Sequence, residues 1–133
     1  MRDGKTRKQR AAVEAPRVQE FLDRYVAKVM LVSGPGAGAG FAIDRERVIV
    51  GRGPGVDRAF DDPAMSRQHA AIEFHGTGFR IRDLGSSNGT RLNGQAVQSA
   101  ELRHGDSFEI GGRRFVLAIE ERELEPDAYE LKS

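Results

Sequence analysis

The sequence predicts an all-β sandwich preceded by one short helix. Three observations support this fold class. Short runs of β-branched and aromatic residues recur between about residues 27 and 120, with glycine-containing turns between them. The run Phe79-Arg80-Ile81-Arg82 alternates between apolar and charged residues, as a half-buried antiparallel strand does. No helical pattern lies between the runs, which favours a sandwich over a βαβ fold.

The helix is predicted over residues 16–26. Pro16 stands near its start, where proline is tolerated, and the apolar residues that follow have helical spacing. They are Val18, Phe21, Leu22, Tyr25 and Val26. We expect this helix to pack on the domain.

Eight strands are predicted after the helix. In chain order they are Lys28–Ser33, Phe41–Ile43, Arg47–Gly51, His69–Phe74, Phe79–Asp83, Thr90–Leu92, Ser107–Ile110 and Arg113–Ile119. Gly76–Gly78 predicts a hairpin, and Asn93-Gly94 and Gly111-Gly112 predict two-residue type I′ turns with positive φ angles. The glycine-rich stretch 33–40 lacks the Lys-Ser/Thr pair of a P-loop and no helix pattern follows it, so we interpret it as a flexible connection between strands.

Length and composition indicate one domain with charged ends. The 133 residues suffice for a single core, and the absence of cysteine excludes disulfides, thiolate metal sites and cysteine nucleophiles. We divide the chain into a basic flexible tail (1–15), the helix (16–26), the domain (27–120) and an acidic tail (121–133). The basic end is interpreted as a solvated arm rather than a nucleic-acid-binding one. No apolar run approaches a membrane span, so we expect a cytoplasmic protein without membrane contact.

Three polar segments next to predicted strands have side chains suited to a phosphate. They are Gly51-Arg52, Ser66-Arg67-Gln68-His69 and Ser86-Ser87-Asn88-Gly89-Thr90. A phosphate monoester needs fixed cations and converging donors, and Arg52 offers a planar fork of donors while Arg67 adds a second charge. Asn88 both donates and accepts, which suits the main chain of an extended peptide. Each residue alone has a structural explanation as a surface arginine or a turn residue, so the prediction depends on their combination.

In this order, these segments resemble the forkhead-associated (FHA) domain family. The further pairs Asn93-Gly94, Gly105-Asp106 and Ile110-Gly111 match the same pattern, and the resemblance runs from about Lys28 to Ile119. It implies a β-sandwich of about eleven mostly antiparallel strands that binds phosphothreonine in partner proteins without catalysis, cofactor or metal. The implied partner is therefore a protein or peptide modified by a Ser/Thr protein kinase.

The resemblance also implies a role for individual residues. Arg52 and Ser66 resemble the principal phosphate ligands, Arg67 a supporting ligand, and Ser87 and Asn88 the pair that contacts the phosphorylated residue and the main chain after it. The residues implied to support the site structurally are Gly51, His69, Gly89, Thr90, Asn93 and Gly94. In particular, His69 is implied to brace the loop that presents Ser66.

Three other interpretations remain. Ser66 and His69 with Asp83 or Asp106 suggest a hydrolytic triad, although Ser66 lies in no nucleophile-elbow sequence. A second is an FHA-fold scaffold or self-association module that acts without phosphate recognition. The third is regulatory: Thr6, flanked by Lys5 and Arg7 in a context that suits a basophilic kinase, would be phosphorylated and occupy the site. We prefer the simpler interpretation of Thr6 as part of an unmodified arm.

Overall fold

The computed structural model describes residues 18–123. The predicted basic tail, the first two residues of the predicted helix, Thr6 and residues 124–133 of the acidic tail lie outside the described residues. The described range contains one helix and eleven strands, joined by turns and loops. The helix α1 spans Val18–Arg24. The strands are β1 Tyr25–Ser33, β2 Gly40–Ala42, β3 Arg47–Gly51, β4 Arg58–Ala59, β5 Ala70–His75, β6 Gly78–Asp83, β7 Thr90–Leu92, β8 Gln95–Val97, β9 Ser99–Leu102, β10 Ser107–Ile110 and β11 Arg113–Glu121.

The strands form two sheets packed face to face. One sheet has six strands in the order β2-β1-β11-β10-β7-β8, and the other has five in the order β4-β3-β5-β6-β9. The pairs are antiparallel except β3 with β4, which is parallel. The predicted all-β sandwich of about eleven mostly antiparallel strands is confirmed.

The junction between α1 and β1 differs from the sequence prediction. The helix ends at Arg24, so Tyr25 and Val26 belong to β1 rather than to the helix. Tyr25 pairs with Glu121, which extends β11 beyond the predicted end of the domain at residue 120. The Arg122 amide then donates to the Arg24 carbonyl at 2.8 Å. Cross-strand pairing with the distant C-terminal strand therefore outweighs the local helical periodicity.

The core lies between the two sheets, and aromatic residues fill its ends. Phe108 and Phe115 stack with their ring centroids 5.3 Å apart, and both are about 1% exposed. At the end of the sandwich where β5 turns into β6, Phe21 of α1 contacts Phe74 at 5.4 Å and Phe79 at 5.3 Å between centroids. The helix therefore closes this end of the core, as expected for its amphipathic pattern. No helix within residues 18–123 is long and apolar enough to cross a bilayer.

The two predicted type I′ turns have different outcomes. Asn93 and Gly94 both have positive φ angles, 49° and 87°, as that turn requires. In the β10–β11 turn Gly111 has φ 65° but Gly112 is outside the positive range, so the type I′ prediction is wrong there. The Gly112 amide instead donates to the carboxylate of Asp62 at 3.0 Å. This hydrogen bond ties the turn to a residue that is distant in sequence. The stretch 34–39 is folded back by hydrogen bonds to itself and to Leu31.

Candidate functional site

Three loops meet at the end of the sandwich opposite to α1. They are the β3–β4 loop (52–57), the β4–β5 loop (60–69) and the β6–β7 loop (84–89). They converge because β3 ends, β5 begins and β6 ends at the same level of the five-stranded sheet: Val50 pairs with Ala70, and Ala70 with Asp83. The three polar segments singled out in the sequence are thereby brought together.

Arg52 is anchored to the β4–β5 loop by both its main chain and its side chain. Its amide donates to the Ser66 carbonyl at 3.0 Å, and the next amide, of Gly53, donates to the Arg67 carbonyl at 3.2 Å. The Arg52 Nε donates to the Met65 carbonyl at 3.0 Å. Because Nε is engaged in this way, the guanidinium plane is fixed and the two terminal nitrogens are left as a pair of donors for a ligand.

Gly51 is required by the close approach of the two loops. A Cβ atom at this position would lie 2.0 Å from the Arg67 carbonyl oxygen and 3.0 Å from the Ser66 carbonyl oxygen. Both obstacles are backbone atoms, which cannot move aside as a flexible side chain does. A glycine therefore allows β3 to bring Arg52 beside Ser66.

The Gly51→Ala variant is accordingly expected to destabilise the fold by about 2 kcal/mol or more, because one loop must shift. Thermal denaturation followed by circular dichroism measures the change. Gly78→Ala is the matched control, since a Cβ there meets no atom within 4 Å. Equal melting temperatures of the two variants would contradict the role assigned to Gly51.

His69 joins the β4–β5 loop to the β6–β7 loop from inside the protein. Its side chain is fully buried, its Nδ1 accepts the Ser66 amide at 3.1 Å, and its Nε2 lies 2.8 Å from the Gly89 carbonyl oxygen. Since Nδ1 is an acceptor, Nε2 carries the hydrogen and donates it to Gly89. The imidazole thus fixes the main chain on both sides of the site.

Ser66, Ser87 and Asn88 are linked across the same two loops. The Ser66 hydroxyl accepts the Ser87 amide at 3.0 Å, which leaves its own hydrogen for a ligand. The Asn88 side-chain amide donates to the Ala64 carbonyl at 2.9 Å and keeps a second N–H and its oxygen unused by that bond. The Asn88 side chain is exposed. These residues thus present several donors to solvent from a fixed framework.

Arg67 supplies a second cation beside Arg52. It is exposed, and the stem of its side chain lies over Gly53, where an added Cβ would be 3.0 Å from the Arg67 Cβ. Two guanidinium groups on adjacent loops create a positive region that favours a doubly charged ligand.

Asp83 organises the β6–β7 loop, a role that the sequence did not predict. Its carboxylate accepts the Ser86 hydroxyl at 2.6 Å and the Thr90 hydroxyl at 2.7 Å, and the Gly85 and Ser86 amides at 3.0 Å each. Burial raises the pKa of this carboxyl group, but these hydrogen bonds outweigh the burial and hold the pKa below its ordinary value. The signal in the sequence was an aspartate two residues before a glycine, the pattern of an Asx turn.

The remaining predicted support residues fall into two groups. Gly89 and Thr90 support the three loops directly, because the Gly89 carbonyl is bonded to His69 and the Thr90 hydroxyl to Asp83. Asn93 and Gly94 form the turn at the far end of β7, and the Asn93 side chain binds the start of β10 through the Ser107 amide at 2.9 Å. The contacts of this turn join strands of the six-stranded sheet rather than the three loops.

The geometry contradicts a hydrolytic triad. Both ring nitrogens of His69 are engaged by main-chain groups, so neither is placed to take the proton of the Ser66 hydroxyl. Asp83 receives hydrogen bonds from the β6–β7 loop, and Asp106 receives them from Asn93 and Arg103, so neither orients His69. Residues 18–123 also contain no cluster of three or more side chains suited to a metal ion.

Comparison with known proteins places these observations in one family. The FHA domain family model matches residues 48–111, which include all three loops. The glycogen accumulation regulator GarA of Mycolicibacterium smegmatis is 40% identical over 97 residues, covering 73% of this chain and 61% of the relative. The oxoglutarate dehydrogenase inhibitor of Corynebacterium jeikeium is 36% identical over 102 residues, covering 77% of this chain and 71% of the relative.

A solved structure from a structural and functional study of phosphothreonine-dependent FHA domain interactions superposes with a TM-score of 0.64. It is 27% identical and covers 76% of this chain and 98% of its own. This chain spans about three fifths of the length of the GarA relative. The chain belongs to the FHA domain family.

Proposed function

We propose that this chain is a non-catalytic module that binds phosphothreonine in partner proteins modified by a Ser/Thr protein kinase. Arg52 and Ser66 are the principal phosphate ligands in this proposal, and Arg67 supports them. Ser87 and Asn88 contact the phosphorylated residue and the main chain that follows it.

The observation that carries the proposal is the arrangement of donors at the three loops. The Arg52 Nε and the Asn88 amide each use one hydrogen bond to fix their orientation on the β4–β5 loop. The Ser66 oxygen is fixed by an amide from the β6–β7 loop. The other donors of Arg52, Ser66 and Asn88 then serve a ligand at little cost in side-chain entropy. A phosphate dianion has the charge and the acceptor oxygens that such a site binds.

The relatives support a regulatory output. One carries the name of a regulator and another that of an enzyme inhibitor, and a structural neighbour comes from a study of phosphothreonine-dependent interactions. Control of a partner protein through a bound phosphothreonine fits all three.

The test is a titration against an oriented phosphothreonine peptide library, with the unphosphorylated library and a phosphoserine library as controls. The proposal predicts binding to phosphothreonine peptides that exceeds binding to both controls. Equal, weak binding to the phosphorylated and unphosphorylated libraries would favour the alternative, a scaffold or self-association module that does not recognise phosphate.

The affinity for a phosphopeptide and the stability of the fold should decrease in different ranges of pH. The second pKa of a phosphate monoester is about 6, so a peptide loses its dianion below that value, and we expect about tenfold weaker binding at pH 5 than at pH 7. Burial raises the pKa of Asp62, but hydrogen bonds from Gly112, Ala64 and Arg113 outweigh it, and the pKa is lowered. The pKa of Asp83 is lowered as well.

Carboxylates with a lowered pKa in the folded state stabilise the fold above their unfolded pKa of about 4, and this stabilisation is lost as the pH falls through the lower folded value. The free energy of unfolding contributed by Asp62 and Asp83 should therefore be unchanged between pH 7 and pH 5. Calorimetric titration and urea denaturation at each pH separate the two effects. A parallel loss of stability and binding over that range would contradict this assignment.

A further inference from the structure

Asp62 is a buried carboxylate that the phosphate chemistry does not use directly. It lies in the β4–β5 loop and is 6% exposed. One of its oxygens, Oδ1, accepts the Ala64 amide at 2.9 Å. The other, Oδ2, accepts the Gly112 amide at 3.0 Å and Nη1 of Arg113 at 2.7 Å. This carboxylate therefore ties the loop that presents Ser66 to the β10–β11 turn of the opposite sheet.

Arg113 is in turn held by three residues from two parts of the chain. Its side chain is 11% exposed in the ion pair with Asp62. Its Nε donates to the Pro35 carbonyl at 3.0 Å, and its guanidinium carbon lies 5.3 Å from the centre of the Phe60 ring. A buried ion pair gives little net stability, because desolvation offsets the attraction, but it imposes one geometry on the segments that it joins.

The turn that Asp62 begins supplies the acceptors that orient the two ligand side chains. The Met65 amide donates to the Asp62 carbonyl at 2.9 Å, which closes the turn. The carbonyl of Ala64 accepts the side chain of Asn88, and the carbonyl of Met65 accepts Nε of Arg52. The direction of these two carbonyls therefore sets the direction of both side chains.

The β10–β11 turn packs directly on the same segment. A Cβ at Gly111 would lie 2.8 Å from Oδ2 of Asp62 and 2.9 Å from Cγ of Met65, so no larger residue fits there. The turn of the six-stranded sheet and the ligand-presenting loop of the five-stranded sheet are thus in contact without space between them.

We propose that Asp62 and Arg113 are positioning residues of the phosphothreonine site. Their ion pair fixes the turn 62–65, and the carbonyls of this turn hold Arg52 and Asn88 in the orientation that meets the ligand. This inference rests on the proposed function for its ligand, but its structural part applies equally to the free protein.

The first measurement is made without any ligand. In a two-dimensional ¹⁵N–¹H spectrum, the Nε–H signal of Arg52 and the side-chain amide signals of Asn88 report directly on their bonds to Met65 and Ala64. In Arg113→Met and in Asp62→Asn, we expect these signals to move and to exchange faster with water. The matched control is Arg82→Met, which breaks another ion pair, that of Arg82 with Glu73 at 2.7 Å, on the outer face of the five-stranded sheet.

The second measurement is the dissociation constant for a phosphothreonine peptide selected with the wild-type protein. We expect roughly tenfold weaker binding in Arg113→Met, the effect of misorienting one charged donor, and wild-type binding in Arg82→Met. Arg113→Lys keeps a donor for Asp62 but not the planar fork, and should recover most of the affinity. If the methionine variant does not fold, Asp62→Asn takes its place, because it removes the charge of the same ion pair and the same loss of affinity is expected.

The outcomes separate this inference from the proposed function. Failure of the wild-type protein to bind any phosphothreonine peptide would refute the function, while the Arg52 and Asn88 signals would still test the positioning role. Unchanged signals and unchanged affinity in folded Asp62→Asn and Arg113→Met proteins would overturn the inference. Equal losses in Arg82→Met would overturn it as well, since they would show a general effect of stability.

Discussion

Arg52→Ala should reduce the affinity for a phosphothreonine peptide by at least about 100-fold while leaving the fold intact. The two terminal nitrogens of Arg52 are the paired donors of the proposed site, and each hydrogen bond to a charged group contributes about 1.5–3 kcal/mol. The side chain is exposed and makes one hydrogen bond, to the Met65 carbonyl. Its removal therefore leaves no cavity in the core. Isothermal titration calorimetry and circular dichroism measure binding and folding separately.

The control for this variant is Arg114→Ala. Arg114 is also exposed and its loss changes the net charge equally, but it lies on β11 and pairs with Glu109 on the outer face of the six-stranded sheet. Wild-type affinity in Arg52→Ala would remove this residue from the site. Equal losses in both variants would show that only the overall charge matters.

His69→Ala should destabilise the fold by about 3 kcal/mol or more and also abolish binding. The variant leaves the Ser66 amide and the Gly89 carbonyl without their partner in the interior, and each buried unsatisfied group costs about 1–3 kcal/mol. The lost volume of a fully buried side chain adds to this cost. For a domain of this size we expect a melting temperature roughly 12–24 °C lower.

His75→Ala provides the comparison for His69→Ala. His75 is exposed at the opposite end of β5, so its removal should change neither stability nor binding. A His69→Ala protein with the wild-type melting temperature would mean that the loops hold their positions without the imidazole.

The sequence predicted the fold class and eight strands because each of those strands has a recognisable residue pattern or is bounded by turn residues. Three strands were missed, and each lacks such a signal. β4 has only two residues, Arg58 and Ala59, and it becomes a strand by pairing in parallel with Val50 and Gly51. β8 and β9 are separated by the single residue Gln98, and no turn motif marks the boundary. Short edge segments of this kind depend on a neighbour that the local sequence does not reveal.

The site was predictable to the extent that its residues lie in short motifs. Arg52, Ser66, Arg67, Ser87 and Asn88 each lie in one of the three segments, and these meet at one end of the sandwich, although their part in binding stays a prediction. Some of the residues that hold these five in position could not be predicted in the same way. Asp62 and Arg113 are 51 residues apart in sequence, and nothing in either local segment indicates that they pair. Only the packing of one sheet against the other brings them together.

The position of α1 has a practical consequence for handling the protein. Both limits of the described chain lie at the end of the sandwich that α1 covers. There, the amide and the side chain of Arg122 donate to the carbonyls of Arg24 and Leu22. The six residues of β5 separate that end from the loops by about 20 Å. A tag joined directly to residue 18 or residue 123 therefore starts at the end of the sandwich away from the ligand loops. A sensor surface that captures the chain by such a tag would leave these loops accessible to peptide in solution.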